Sequence, residues 1–463
     1  MLENECGHYT KIFCNFLPEH MKALAFCTPA SFRDPESDEM WHPIFYKKRP
    51  PELFFYHIIG CSRAILSGFK KFVLGKFGSS KLVVCDGATH LSFGNEVVCR
   101  IEPGGKIFTE YLSEDDRKNT HWMIVSGAGR LDSVSRLHVL SLLYQFVLAW
   151  IKASNHTRKS STSSLVSLQV FRWILSLRWV VQWTWWCAIE NAICITHPDK
   201  IFCVHEFHPL SRIVWYVSKK KNIKTIAVQH AIISREKLWY FSTKAEKEAG
   251  LCFPDVYYVY SNSDRDLLLP YLPATTKIEI ACGPRYTKWK MHIGRWSTAV
   301  GSQKILLFVP SLAWWDNLTV LEGVRKCVEL NERSYLIVVR LHPNGSVALK
   351  QKLRLWRWAG SEKIRLSSAN IHDDLLAASV IVGATSSVLT EAALLGCPSI
   401  SLGNSNFSYS PVYADLTVNI SDFTLGDIDQ VMKKEQKTSD VVQFHAKSLG
   451  MNEPAFRLCD TIQ

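Results

Sequence analysis

A hydroxyl-rich loop near the C-terminal end of the chain has the residue types that bind phosphate. Thr385, Ser386 and Ser387 follow the apolar run 379–382, which is typical of a buried strand, and precede a segment with helical spacing of apolar residues. Free backbone N–H groups and the helix dipole favour an anion at such a position. Glu391, about one turn further on, could accept hydrogen bonds from a ribose. The alternative is an ordinary crossover whose helix has a polar cap.

A second group with phosphate-binding chemistry follows an earlier strand of the same predicted sheet. Arg340 and His342 close the apolar run 335–341, and Pro343 biases His342 to an extended backbone. An imidazole can donate a hydrogen bond to a phosphate oxygen, and a guanidinium adds full charge. The alternative is a capped strand end. Because both groups end strands of one sheet, the sequence predicts that His342 and Ser386 converge on one anion.

Strands and helices alternate regularly in two blocks of the chain, which indicates parallel βαβ units. We therefore expect an α/β protein with two doubly wound Rossmann-like domains facing a cleft, where ligands bind at the carboxyl ends of strands. The predicted organisation is an N-terminal domain with a helical insertion (1–285), a linker (286–303), a C-terminal domain (304–435) and a tail (436–463).

Composition restricts the class of protein and its compartment. The chain has 463 residues, a hydrophobic fraction of 47% and a formal net charge of +12, which favours anionic partners such as nucleotides. Its 14 cysteines are scattered without a C-x-x-C pair, so we expect reduced thiols in a cytoplasmic protein. Neither a secretory signal nor an uninterrupted apolar run of spanning length is evident. The basic residues are spread along the chain, which argues against a nucleic-acid partner.

A tryptophan-rich segment at 165–195 has two interpretations. Its mixture of tryptophan and arginine suits an interfacial membrane helix, which would place the protein peripherally at the inner face of the membrane. A core helix of an α/β domain has the same composition and is the more common case.

The two phosphate-binding motifs together resemble a known family. Arg340-Leu341-His342-Pro343, followed by Thr385-Ser386-Ser387, Glu391 and Gly396-Cys397-Pro398, is similar to the donor domain of GT-B glycosyltransferases that build bacterial capsules and surface polysaccharides. In bacterial sialyl- and polysialyltransferases, a His-Pro motif and a later serine motif hold the phosphate of a CMP-linked sugar. CDP-glycerol glycerophosphotransferases carry similar motifs. The resemblance covers about residues 200–405. Within this range, 225–230 with 254–260 is similar to the acceptor-side domain of these enzymes.

The resemblance implies a general base in the N-terminal part of the chain. An inverting transfer needs a carboxylate or imidazole to deprotonate the acceptor hydroxyl. Asp86-Gly87 resembles half of the sialyltransferase motif that carries this base, although Cys85 stands where that motif has an acid. The other candidates are His205, Glu206 and His230, each near the end of a predicted strand.

Neither a metal nor a cofactor is expected. The chain has no Asp-x-Asp sequence, and the adjacent Asp373 and Asp374 would diverge on a helix, where they more plausibly cap it. The basic groups Arg340, His342, Lys288 and Arg285 could instead offset charge on a leaving group.

The sequence thus predicts a metal-independent enzyme that moves a sugar from a nucleotide donor, CMP-linked by resemblance, to an oligosaccharide or lipid-linked glycan. A glycerophosphotransferase or a sugar-nucleotide 2-epimerase on the same fold is the enzymatic alternative. A non-catalytic protein that binds a nucleotide sugar is the third hypothesis.

Overall fold

A computed structural model gives the fold of the chain. It describes residues 81–85, 93–100, 120–126, 136–157, 170–171, 173–198, 200–203, 209–229, 240–250, 252–281, 304–310, 314–330, 335–342, 364–384, 386–403, 414–433 and a few single positions. The chain divides into two compact units, Met1–Pro284 with Phe456–Gln463 and Arg285–Ala455. The sequence placed this boundary at residue 285.

The first unit is built on a mostly parallel sheet. Among the described residues its strands are β1 (Lys81–Cys85), β2 (Phe93–Arg100), β3 (Thr120–Ser126), β4 (Lys200–Cys203), β5 (Lys224–Val228), β6 (Val256–Val259) and β7 (Lys277–Ile280). They lie in the order β1-β3-β2-β4-β5-β6-β7. All neighbours are parallel except β1 and β3. Strand order reverses between β2 and β4, as in a doubly wound sheet.

Helices of the first unit bury the tryptophan-rich segment. The described helices are α1 (Arg136–Thr157), α2 (Arg178–Thr196), α3 (Pro209–Lys220), α4 (Lys244–Ala249) and α5 (Asn262–Leu268). Trp173, Trp179, Trp183 and Trp186 belong to the hydrophobic core, with exposed fractions between 0 and 9%. These four rings therefore support the core interpretation of the segment. No helix in the described ranges is long and apolar enough to cross a bilayer.

The second unit has a parallel sheet with the strand order of a dinucleotide-binding fold. Its described strands are β8 (Lys304–Val309), β9 (Tyr335–Val339), β10 (Ile364–Leu366), β11 (Val380–Gly383), β12 (Ser399–Gly403) and β13 (Leu416–Asn419). In space they run β10-β9-β8-β11-β12-β13. Numbered from the first strand of the unit, this order is 3-2-1-4-5-6, and it reverses between β8 and β11. The predicted class of doubly wound α/β domain is confirmed.

Helices cover both faces of this second sheet. They are α6 (Trp314–Leu330), α7 (Ile371–Ala377), α8 (Val388–Leu395) and α9 (Leu425–Lys433). Residues of α6 and α9 form one core cluster with Phe308 and Leu402. On the opposite face, Leu389 of α8 approaches Gly383 beside Val309. The sheet is therefore buried on both sides, which explains its continuous apolar strands.

Several element ends differ from the sequence predictions. The sequence favours Thr385 or Ser386 as the cap of α8, but its N-cap is Ser387. Asn370, not the Asp373–Asp374 pair, caps α7 by accepting the Asp373 N–H. Gly396 ends α8 in the left-handed conformation, with φ 84°. Strands β2 and β13 and helices α4 and α9 were not predicted from the sequence. The segment 346–358, where the spacing of apolar residues predicts a helix, lies outside the described residues.

The predicted linker 286–303 falls within the second unit, and Trp296 shows how it is held there. Trp296 is 4% exposed; its backbone N–H donates to the Leu395 carbonyl at 3.0 Å and its indole Nε1 to the Ala378 carbonyl at 3.0 Å. The segment before β8 is therefore anchored to residues that precede β11 and end α8.

Candidate functional site

The carboxyl edge of the second sheet brings the two predicted phosphate motifs to the same side. Val339, Phe308 and Val382 form one row across β9, β8 and β11. His342 lies three residues beyond this row and Ser386 four residues beyond it. The backbone of Arg340 extends the ladder by donating to the Phe308 carbonyl at 2.9 Å. Both motifs therefore leave the same edge, on strands that flank β8.

The separation of these motifs suits a phosphate ester. Adjacent strands lie about 4.8 Å apart, so β9 and β11 are about 10 Å apart across β8. A histidine from one side and serine hydroxyls from the other can span that distance with a phosphate between them. Both His342 and Ser386 are partly exposed. Pro343 and Thr385, the other predicted members of this set, lie outside the described residues.

The start of α8 has fewer available N–H groups than an ideal helix. The amides of Leu389, Thr390 and Glu391 already donate to the carbonyls of Ser386 and Ser387 at 3.1 to 3.3 Å. The Val388 amide reaches the Ser386 hydroxyl only at 3.4 Å. Ser387 is the N-cap, yet its side chain accepts no capping hydrogen bond. The groups best able to meet an anion are therefore the Ser387 hydroxyl and the Val388 amide.

Arg340 is held by an ion pair at the edge of this site. Its Nη1 donates to Asp374 Oδ2 at 2.7 Å and to the Ala369 carbonyl at 2.5 Å. Asp374 is 6% exposed and also accepts the Ser367 hydroxyl at 2.6 Å. Much of the Arg340 charge is thus offset, and the contact left to a ligand comes from its remaining N–H groups. The sequence did not predict this role of Asp374, which was interpreted as a cap.

Glu391 is buried within the first turn of α8. Its exposed fraction is 1%, and its amide donates to Ser387. Contact with a ribose would require the ligand to enter the fold beside α8. Its ribose-binding role therefore remains a prediction.

The four base candidates, Asp86, His205, Glu206 and His230, lie outside the described residues. The strands before them have different directions. β4 and β5 are parallel to their neighbours, so both end at the carboxyl edge of the first sheet. β1 is antiparallel to β3, and its last residue, Cys85, pairs with Trp122 near the start of β3. β1 therefore ends at the opposite edge from β4 and β5. The other basic candidates, Arg285 and Lys288, also lie outside the described residues.

A polar network fixes the end of β5, immediately before His230. Gln229 is 1% exposed; its Oε1 accepts the Tyr260 N–H at 2.8 Å, and its Nε2 donates to Asp264 Oδ2 at 3.3 Å. The Tyr260 hydroxyl donates to the Gln229 carbonyl. Ser261 caps α5 by accepting the Asp264 N–H at 3.0 Å. The sequence missed Gln229; an amide at the end of an apolar run was the available signal.

A large cavity of the first unit lies away from these residues. It has a volume of about 1090 Å³ and is lined at the amino ends of β5 and β6 by Lys219, Lys224 and Asp255, among others. Lys219 donates to the Gly250 carbonyl at 3.0 Å and pairs with Asp255 at 3.6 Å. None of the predicted site residues that the structure describes lines this cavity.

Over the residues that the structure describes, no group of three or more histidine, cysteine or acidic side chains is arranged to hold a metal ion. The expectation of metal-independent chemistry remains a prediction.

This chain resembles known proteins in fold but not in sequence. No protein-family model matches the chain, and no curated protein matches it by sequence. A putative UDP-N-acetylglucosamine 2-epimerase from Listeria monocytogenes is 17% identical, covering 58% of this chain and 74% of its own, with a TM-score of 0.43. Anabaena HepE in complex with UDP and glucose is 13% identical over 60% and 81%, with a TM-score of 0.38. The lipopolysaccharide galactosyltransferase WaaB is 13% identical over 59% and 77%, with a TM-score of 0.35.

Proposed function

We propose that the protein is a GT-B-type glycosyltransferase that moves a sugar from a CMP-linked donor to a surface-polysaccharide acceptor. The second unit would bind the donor at the switch point between β8 and β11. The acceptor would be an oligosaccharide or a lipid-linked glycan. The motif resemblance described above supports the choice of donor and acceptor.

The observation that carries the proposal is the row Val339–Phe308–Val382. It puts the His342 motif and the Ser386–Ser387 loop on one edge of a sheet with 3-2-1-4-5-6 order. In such sheets ligands bind outside the carboxyl ends of the strands where the order reverses. The side chains found there, an imidazole and hydroxyls, are donors for phosphate oxygens.

The reaction would need charge stabilisation at the departing nucleotide. As the acceptor oxygen attacks the anomeric carbon, the bond from that carbon to the phosphate oxygen breaks and negative charge grows on the phosphate. His342 and the Ser387 hydroxyl would donate hydrogen bonds to it, and Arg340 would add its remaining N–H groups. The proton of the acceptor hydroxyl would pass to a base, which we place among His205, Glu206 and His230 because β4 and β5 end at the carboxyl edge. Asp86 is the less favoured candidate because β1 ends at the other edge.

A nucleotide-binding assay with four ligands tests the donor site. CMP, CDP, UDP and GDP are added separately to the full chain and the melting temperature is recorded, since a ligand that binds only the folded state raises it. We expect CMP to give the largest shift. Ser387→Ala should weaken binding roughly 10- to 100-fold, because a hydrogen bond to a charged group contributes about 1.5–3 kcal/mol.

The matched control is Ser421→Ala, an exposed serine in the turn after β13 whose hydroxyl contacts Asp422. It should leave binding unchanged. His342→Ala should abolish sugar transfer with little loss of stability, whereas equal loss of both would show a structural role. Absence of any nucleotide-induced shift would refute the donor site. An epimer formed from a sugar nucleotide without acceptor would refute group transfer, and binding without turnover would support a non-catalytic protein.

A further inference from the structure

A buried asparagine lies at the amino end of α6. Asn317, Val320 and Val324 follow the spacing of a helix face that packs on the sheet, and Val320 and Val324 belong to the core cluster of the second unit. Asn317 is 0% exposed. It is thus the polar residue at the end of an otherwise apolar stripe, within the first turn and a half of the helix that follows β8.

The carboxamide of Asn317 is unsatisfied among the residues that the structure describes. Neither its Oδ1 nor its Nδ2 has a hydrogen-bond partner in the part of the chain that the structure describes. A carboxamide offers two N–H donors and two acceptor lone pairs, and burial without partners is destabilising. Because buried polar groups in native proteins are nearly always paired, this one needs an explanation.

Thr390 of α8 has the same property on the other face of the sheet. It is 1% exposed, and its Oγ1 lacks a partner within the described ranges. Thr390 is in the first turn of α8, the helix that follows β11. Two adjacent parallel strands, β8 and β11, therefore each lead into a helix whose amino end carries a buried polar side chain with no hydrogen-bond partner in the described part of the chain.

These two positions flank the point where the strand order reverses. β8 and β11 are paired through Val309 and Gly383 at their carboxyl ends. The helices after them diverge to opposite faces, and the crevice between diverging connections is where such sheets bind ligands. Both helix amino ends also favour an anionic ligand.

We propose that Asn317 and Thr390 are ligand-binding residues that hydrogen-bond the phosphate–ribose part of a ribonucleotide at this crevice. The inference rests on the proposed donor site and adds two contacts to it. The Asn317 Nδ2 and the Thr390 hydroxyl donate to phosphate-ester oxygens, while the Asn317 Oδ1 accepts from a ribose hydroxyl. A ribonucleotide offers both kinds of partner, whereas inorganic phosphate offers the acceptors and few donors. Contact requires the side chains covering Asn317 to shift when the ligand binds.

The test separates stability from binding. Asn317→Leu keeps the number and branching of the side-chain heavy atoms and removes the unsatisfied amide, so the melting temperature of the ligand-free chain should rise by several degrees. The same variant should bind CMP at least about 10-fold more weakly in a calorimetric titration, as expected for a lost hydrogen bond to a charged ligand. Thr390→Val should change both quantities in the same directions by smaller amounts. CDP, UDP and GDP are titrated in parallel.

Ser399→Ala is the matched control. Ser399, the first residue of β12, is also polar and 0% exposed, but its hydroxyl donates a hydrogen bond to Asp415 at 3.2 Å. This variant should melt lower and bind nucleotide with unchanged affinity. Only a residue kept unsatisfied for a ligand should show the reverse combination.

The outcomes distinguish this inference from the proposed function. If the unsubstituted chain binds one of the four nucleotides and Asn317→Leu and Thr390→Val bind it equally well, the inference is refuted and the donor site stands. A lower melting temperature for Asn317→Leu would also refute the inference, because it would show that the amide is satisfied in the ligand-free protein. If the unsubstituted chain binds none of the nucleotides, both proposals fail.

Discussion

A buried ion pair in the first unit offers a sharp test of how its loops are held. Arg212 of α3 donates from Nη1 to Glu246 Oε1 of α4 at 2.5 Å, and both side chains are 0% exposed. Glu246 Oε2 also accepts the Thr243 N–H at 2.6 Å, and Thr243 Oγ1 accepts the Glu246 N–H at 3.3 Å, which forms a capping box at the start of α4. The guanidinium lies 5.8 Å from the centre of the Phe253 ring. One pair thus joins two helices and the segment between them.

We expect Glu246→Gln to destabilise the protein by about 3–5 kcal/mol, because it removes the negative charge that Glu246 places against the buried guanidinium. At about 2–4 °C per kcal/mol, the melting temperature should fall by roughly 6–20 °C. The control is Glu248→Gln on the same helix, since Glu248 pairs with Lys244 at 3.7 Å with both side chains more than 60% exposed. Exposed pairs contribute roughly 0–1 kcal/mol, so this control should barely change stability.

The reciprocal change adds a dependence on pH. Arg212→Met leaves a buried carboxylate, which can take up a proton as the pH falls, whereas an arginine cannot lose its charge. The deficit of Arg212→Met should therefore shrink between pH 7 and pH 5, while that of Glu246→Gln should stay constant. Urea unfolding at each pH measures both values. A Glu246→Gln protein within 1 kcal/mol of the unsubstituted chain would refute the buried-charge reasoning.

Two further predictions concern the second unit. Gly383→Ala would place a methyl group 2.9 Å from Val309 Cγ2, so urea unfolding should show a loss of about 1–3 kcal/mol; Gly403→Ala, with 3.8 Å to its nearest atom, should be close to neutral, and equal effects would contradict the crowding. Burial raises the pKa of the Cys327 thiol from 9.0 to about 12. The unfolded chain then loses this proton first, so the stability advantage over Cys327→Ala should fall as the pH rises from about 9 towards 12. A difference that does not vary with pH would contradict this.

The sequence predicted the second sheet better than it predicted the helix caps. Strands β8 and β11 are continuous apolar runs that end at Pro310 and Gly383, and a strand buried on both faces needs that pattern. β13 was missed because Leu416–Asn419 is short and only partly buried, so its apolar signal is weak. The β2 run contains glycine, asparagine and glutamate, and its pairing with β3 is irregular. Such edge and irregular strands depend on neighbours that a local pattern does not specify.

The site residues were predicted from their positions at strand ends. The sequence did not predict which side chains these residues pair with. The sequence placed His342 and Ser386 after strands of one sheet, and the register agrees with a common edge. It did not predict that Arg340 pairs with Asp374, because their 34-residue separation is closed only by the packing of α7 against the sheet. Nor did it single out Asn317, because asparagine is common near the start of a helix. Its lack of a partner becomes visible only in three dimensions.

The anchoring of Trp296 has a practical consequence for the design of truncated fragments of the second unit. A fragment that starts at Lys304, the first residue of β8, would lack the buried Trp296 indole and the two N–H groups that Trp296 donates to the Ala378 and Leu395 carbonyls. Such a truncation would expose apolar surface and two backbone acceptors at once. Fragments designed to carry the proposed nucleotide site should therefore begin well upstream of residue 296.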